Sequence, residues 1–290
     1  MKKTYRFAAI FSIIAAILGM MGCDKIDNPR VTLNNQYLEG VYGPPPTFNF
    51  LENPKRNVLF EEFTGHVCGF CPPATAQAKA WSEEYGDRFV AVSIHAGSLS
   101  EPGEAPFETD YRTPTGDFYW SQLDGGFNPA ARIDRDQGNA VIYGFAQWPP
   151  IVQARLNTAP EAALQMITSY DAQNRNVNIH VHAQFLESLS NDVRIVILVD
   201  ESNIISAQED YNLTPSEVLD YKHDHVLRDA VTSPDGWFLI ASPRANDALT
   251  KSFTYPLNAD WNEENCAIVA YLIESNTGKI LNTVRRNVIE

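Results

Sequence analysis

The sequence has few cysteines and no excess of basic residues. Its 290 residues include four cysteines, and 22 Lys and Arg stand against 36 Asp and Glu, giving a formal net charge of −14. Four cysteines are too few for a chain of this length to be a disulfide-stapled scaffold. The negative charge argues against nucleic acid as a partner. Because 44% of the residues are hydrophobic, the chain can form a core and is not disordered throughout.

Familiar catalytic motifs and metal-ligand patterns are also missing. The sequence offers no GxSxG serine motif, no P-loop and no evident pair of catalytic carboxylates. The pairs His180/His182 and His223/His225 would suit a metal only if they met in space, and nothing in their spacing brings them together. We therefore predict neither a metal nor a cofactor.

One apolar run stands at the start of the chain. The basic residues Lys2, Lys3 and Arg6 precede a run that ends at Gly22-Cys23. The run is too short to span a bilayer and is typical of a signal peptide. Its end resembles a bacterial lipobox, which implies that Cys23 carries lipid and attaches the protein to a membrane. The alternative is an ordinary secretory signal; either way, the protein reaches an oxidising compartment.

The segment that follows is polar and contains the run Pro44-Pro45-Pro46. Proline runs favour an extended, semi-rigid chain. The sequence thus predicts a signal peptide over residues 1–22 and a lipid-anchored tether over residues 23–57.

The rest of the chain shows two different periodicities. A short apolar strand from Val58, a helix ending near Tyr85 and a strand over residues 89–95 form a βαβ unit. After residue 159, at least seven strand candidates are separated by turn-forming clusters, which is typical of an antiparallel sandwich. We predict an α/β thioredoxin-like domain over residues 58–158, followed by an all-β immunoglobulin-like sandwich over residues 159–290.

The motif Cys68-Gly-Phe-Cys71 lies between the first strand and the first helix of the βαβ unit. In this arrangement one thiolate attacks a substrate disulfide, and the second thiol resolves the mixed disulfide. A structural disulfide is the main alternative. It would close only a four-residue loop, which removes little chain entropy.

The surrounding residues resemble thioredoxin-like proteins. Glu62 precedes Cys68 by six residues, where the family carries a buried acid that accepts the proton of the resolving thiol. Pro129 follows Asn128, where the family places the cis-proline that shapes its substrate groove. Two prolines directly after Cys71 depart from the pattern and place the start of the helix later than Cys68. His66 and His95 are predicted to lie near the cysteines, where an imidazolium would stabilise a thiolate.

Three stretches resemble the twenty-eight-kilodalton outer-membrane protein family of Bacteroidetes. They are residues 62–72 (EFTGHVCGFCP), 95–97 (HAG) and 221–228 (YKHDHVLR). The resemblance implies an outer-membrane lipoprotein without a settled activity, facing the periplasm or the cell surface. Two functions stay open: thiol–disulfide exchange on exported proteins, and non-enzymatic binding or adhesion to a surface ligand with a static Cys68–Cys71 disulfide.

Overall fold

The computed structural model of the protein describes residues 35–289. The predicted signal peptide and the lipidation site Cys23 lie outside these residues. None of the helices in the described part has the length and hydropathy of a membrane span.

The described part contains four α-helices and fourteen strands. The helices are α1 (Glu39–Tyr42), α2 (Cys71–Tyr85), α3 (Pro114–Ser121) and α4 (Trp148–Leu156). The first four strands are β1 (Val58–Thr64), β2 (Phe89–His95), β3 (Ala130–Ile133) and β4 (Tyr143–Gly144). The later strands are β5 (Ala162–Asp171), β6 (Asn176–Phe185), β7 (Val193–Glu201), β8 (Ile204–Glu209), β9 (Glu217–His223), β10 (Val226–Ala230), β11 (Trp237–Ile240), β12 (Ala248–Pro256), β13 (Cys266–Glu274) and β14 (Ile280–Asn287).

The first half of the described chain has a thioredoxin-like arrangement. Its strands lie in the order β2-β1-β3-β4, with β1 parallel to β2 and antiparallel to β3. Every residue of β1 and β2 is buried, as expected of strands covered on both faces. On one face, Phe60 packs edge-on against Trp81 of α2 and Trp148 of α4. This packing holds α2 and α4 against the same face of the sheet.

The second half does not form a sandwich that stands apart from the first. Strand β10 pairs with β2 and continues the sheet through β7, β13 and β14, so a nine-stranded sheet crosses the predicted boundary at residue 158. The three-stranded sheet β12-β6-β5 packs on the face of β7 and β13 that carries Ile197 and Ile268, and Ile179 belongs to the same core. The expectation of an independent immunoglobulin-like domain is corrected to a mixed α/β fold with one large sheet and smaller antiparallel sheets. The physical reason is that β2 would otherwise present an unpaired edge.

The predicted tether is also corrected for its described part, residues 35–57. Gln36 forms a bridge with Phe253 of β12, and Asn35 donates a 2.7 Å hydrogen bond to the Val231 carbonyl. Phe48 stacks on His182 with ring centroids 5.1 Å apart. These residues therefore lie on the three-stranded sheet rather than spacing it from a membrane. Their aromatic side chains find apolar and aromatic partners there, which the polar and proline-rich composition conceals.

A buried polar network ties β1 and β3 to β13. The Glu61 carboxylate accepts hydrogen bonds from Arg132 at 2.9 Å and from Arg135 at 2.6 and 2.8 Å. Arg135 also donates to the Tyr271 hydroxyl at 3.0 Å. Burial acts to raise the pKa of Glu61, but the two guanidinium groups hold it below its ordinary value. Glu61 is therefore ionised inside the protein because it is paired.

Candidate functional site

The cysteine pair lies between the end of β1 and the start of α2. The helix begins at Cys71, with Pro72 and Pro73 in its first turn, where a missing N–H costs nothing. Cys68 precedes the helix, as the prolines predict, and is joined to Cys71 by a disulfide bond. The CxxC pair thus stands at a helix start, as predicted.

Both cysteines are buried, with Cys68 2% and Cys71 1% exposed, whereas Phe70 between them is 68% exposed. The cover comes from the second half of the chain. We call the β8–β9 hairpin, residues 204–223, the cap. Within it, the Tyr211 amide donates to the Gly69 carbonyl at 3.0 Å, and the Gln208 side chain donates to the Cys68 carbonyl at 3.3 Å.

The contact between the cap and the cysteine loop leaves no free space. A Cβ atom added to Gly69 would lie 2.4 Å from ring carbons of Tyr211. The rings of Tyr211 and Phe70 meet edge to face, with centroids 5.1 Å apart. Sequence patterns do not indicate this contact, because Tyr211 is far from Gly69 along the chain and no motif links the two segments.

Removing the Tyr211 ring should expose the disulfide. Tyr211→Ala is expected to raise the rate at which dithiothreitol reduces the Cys68–Cys71 bond about tenfold, since losing about 1.4 kcal/mol of packing favours the open cap by that factor. Phe238→Ala is the control, because Phe238 is similarly exposed but lies on β11. Equal rates in both variants and the natural protein would show that the cap does not limit access.

Glu62 is the ionisable group beneath the first turn of α2. Its side chain is buried and accepts a 2.7 Å hydrogen bond from Thr75, which lies one turn after Cys71 on the same helix face. Burial raises the pKa of Glu62 to about 7, and hydrogen bonds from Thr75 and Ser93 offset part of the rise. Such a carboxyl can take up and release a proton at neutral pH.

The two predicted histidines lie in one buried cluster. His66 and His95 both face Tyr111, with ring centroids 6.1 and 4.8 Å from it, and His223 of the cap lies 5.7 Å from His95. Burial lowers the pKa of all three imidazoles, to about 4 for His223. They are neutral at pH 7, so any influence on Cys68 at that pH acts through dipoles rather than through an imidazolium charge. Sequence reasoning did not connect His223 or Tyr111 with this cluster.

Pro129 follows a cis peptide bond, as the resemblance implies. The bonds before Pro106 and Pro215 are cis as well. The Asn128 side chain donates a 3.2 Å hydrogen bond to the Ala96 carbonyl, next to the end of β2. The role of Pro129 in shaping a substrate groove stays a prediction.

The remaining histidine pair lies elsewhere. His180 and His182 donate to or accept from Ser252 and Thr250 of β12, beneath the N-terminal segment. Within residues 35–289, no group of three or more His, Cys, Asp and Glu side chains is arranged to hold a metal ion.

The chain thus joins an α/β half, with a CxxC pair at the start of its helix, through one sheet to a β-rich half. A family model, described as "Outer membrane protein Omp28", matches residues 118–290. This match covers more than half of the chain, so the chain belongs to the Omp28 family. Membership confirms the predicted family and the predicted localisation, that of an outer-membrane lipoprotein.

Two solved structures share the fold across both halves. HBP35 of Porphyromonas gingivalis is 16% identical, with a TM-score of 0.59 over 81% of this chain and 76% of that one. Protein AGR_C_4864 from Agrobacterium tumefaciens is 13% identical, with a TM-score of 0.51 over 83% of this chain and 97% of that one. At these identities the likeness concerns the fold alone. No curated protein matches the chain in sequence.

Proposed function

We propose that this protein carries out thiol–disulfide exchange on exported proteins in the cell envelope. The observation that carries the proposal is the position of Glu62. A buried carboxyl with a pKa of about 7 is bonded to Thr75 on the helix face of Cys71. A static disulfide exchanges no protons, so it needs no proton acceptor at this place. Burying a carboxyl group there lowers the stability of the folded protein.

The reaction begins from the reduced pair. The Cys68 thiolate attacks a substrate disulfide, forms a mixed disulfide and releases one substrate thiolate, which takes a proton from water. Glu62 then accepts the proton of the Cys71 thiol. The Cys71 thiolate attacks the sulfur of Cys68, so that the Cys68–Cys71 bond forms and the bond from Cys68 to the substrate breaks. The second substrate sulfur leaves as a thiolate, which takes a proton from water. In the reverse direction, a substrate dithiol reduces the Cys68–Cys71 bond.

The cap decides which substrates enter. Because both cysteines are buried and the cap contacts their loop through Tyr211 and Gln208, we expect a protein substrate to need the cap to move. Phe70 and Tyr211 are both exposed at the entrance and offer aromatic surface to the polypeptide around a substrate cysteine. Pro129 and the neutral His66 and His95 are further candidates for contact with the substrate chain.

One observation favours a second candidate. The same burial of both cysteines suits a static disulfide within a binding or adhesion module, whose ligand would be bound elsewhere on the surface. The two candidates differ in the reduction potential of the pair, because locked structural bonds resist reduction.

The reduction potential of Cys68–Cys71 is therefore the deciding measurement. We expect a value between about −120 and −270 mV, the range of working oxidoreductases. Cys71→Ser should trap mixed disulfides with exported proteins under oxidative growth, and Cys266→Ser, which changes a free buried cysteine, should trap none. A potential below about −300 mV, or no adduct with Cys71→Ser, would favour the binding module.

A further inference from the structure

A cavity between α2 and strand β9 of the cap reaches Glu62. Its volume is about 200 Å³, and Glu62, Thr75 and Ser93 form its polar end. Ala76 and Tyr221 also line it. Tyr221 belongs to β9, so the second half of the chain builds one wall of a space that ends at the buried carboxyl.

The cavity adjoins a cleft at the surface. It shares Ala91, Lys79, Lys222, Asp224 and His225 with a larger cleft of about 620 Å³. The side chains of Lys79 and Lys222 are 50% and 46% exposed, and both pair with Asp224, at 3.3 and 3.8 Å. Water can therefore enter between α2 and the second half and approach Glu62, whose own surface is almost fully covered.

We propose that this cavity is the route by which protons travel between Glu62 and bulk water, with Tyr221 as a positioning residue on its wall. The inference rests on the proposed function and adds a role for the second half of the chain. Substrate enters over Phe70 and Tyr211 at the loop of the cap, while protons leave between α2 and β9 at its base, so a bound substrate does not block the release of the proton.

The proton balance uses such a route. Each resolving step transfers one proton from the Cys71 thiol to the Glu62 carboxylate while the sulfur–sulfur bond forms. Below pH 7 Glu62 starts protonated and must release a proton to solvent before this step, and above pH 7 it releases the accepted proton afterwards. Polar groups from α2, β2, β9 and the turn after β9 face the carboxyl or the cavity, and they set the electrostatic field along the route. They are Thr75, Lys79, Ser93, Tyr221, Lys222, Asp224 and His225.

The matched variants are Ala76→Phe and Ala80→Phe. Both alanines are exposed on α2, but only Ala76 lines the cavity. At pH 6 Glu62 starts protonated and must release a proton before it accepts the one from Cys71. We therefore expect Ala76→Phe to slow oxidation of the reduced protein by glutathione disulfide about tenfold at pH 6 and to raise the solvent deuterium isotope effect. A small buffer base such as imidazole should restore part of the rate. Tyr221→Phe, which keeps the wall, should change the pH profile without a change in the melting temperature.

Two comparisons separate this inference from the proposed function. The assay uses a small disulfide and works whatever the natural substrate is. Equal rates and isotope effects in Ala76→Phe and Ala80→Phe would overturn the proton route. A pH profile that keeps its step near pH 7 in Glu62→Gln would instead remove Glu62 as the proton acceptor, and with it the proposed function.

Discussion

Replacing Arg135 by alanine is expected to lower the free energy of unfolding by about 3–5 kcal/mol. The substitution leaves the Glu61 carboxylate with Arg132 as its remaining cationic partner and removes the donor to Tyr271. A buried charge that loses a partner pays a desolvation cost that the pair had offset. Because the network joins β1 and β3 to β13, the loss weakens the contact between the two halves as well.

Urea unfolding of Arg135→Ala and Arg112→Ala tests this expectation. Arg112 pairs with Asp110 at 2.9 Å, but the pair is largely exposed, so its loss should cost about 1 kcal/mol or less. A similar small change in both variants would mean that the buried network contributes no more than a surface ion pair.

The second large effect concerns Glu62 and pH. Its pKa of about 7 in the folded protein lies above the ordinary value of 4.5, so the folded state binds more protons than the unfolded chain between these values. Stability contributed by the neutral carboxyl is present below pH 4.5 and is lost as pH rises through 7, by about 3 kcal/mol in total. Glu62→Gln cannot ionise and should lack this loss.

The measurement is the free energy of unfolding at pH 5 and pH 8 for Glu62→Gln and for Glu83→Gln, which changes an exposed residue of α2. From pH 5 to pH 8 the free energy of unfolding of Glu62→Gln should rise by about 2–3 kcal/mol relative to that of the natural protein, and that of Glu83→Gln should show no measurable relative change.

The histidine cluster affects stability in the opposite direction. Because the pKa values of its imidazoles are lowered, the free energy of unfolding falls as pH falls below about 6.5. This contribution is the same in the natural protein and both variants, so it cancels when they are compared.

Much of the site could be predicted from the sequence because it is local. Glu62, Cys68 and Cys71 lie within ten residues of one another, across one strand end and one helix start. The short apolar run of β1 and the two prolines after Cys71 indicate where those elements begin and end. The position of Glu62 beneath the helix then follows from the βαβ geometry.

The cap, the histidine cluster and the cavity could not be predicted in this way. Tyr211, Tyr221 and His223 come from a hairpin whose pattern is that of a solvated loop and two short strands. Nothing in that pattern indicates that it lies on the cysteine loop. The segment 35–57 was likewise predicted as a spacer, because its composition does not reveal that Phe48 has a partner in His182.

Short spacings and periodicities are enough to predict the Omp28 family, the βαβ unit around the CxxC pair and the acid six residues before it, since each depends on residues close together in the chain. The sheet shared by the two halves, the cover over the cysteines and the cavity beside Glu62 arise only when distant segments meet in the folded chain. Each of these depends on which unpaired strand edge and which apolar face meet. Every unpaired strand edge offers the same backbone N–H and C=O groups, whatever its side chains are. The sequence pattern alone therefore does not show which strands pair.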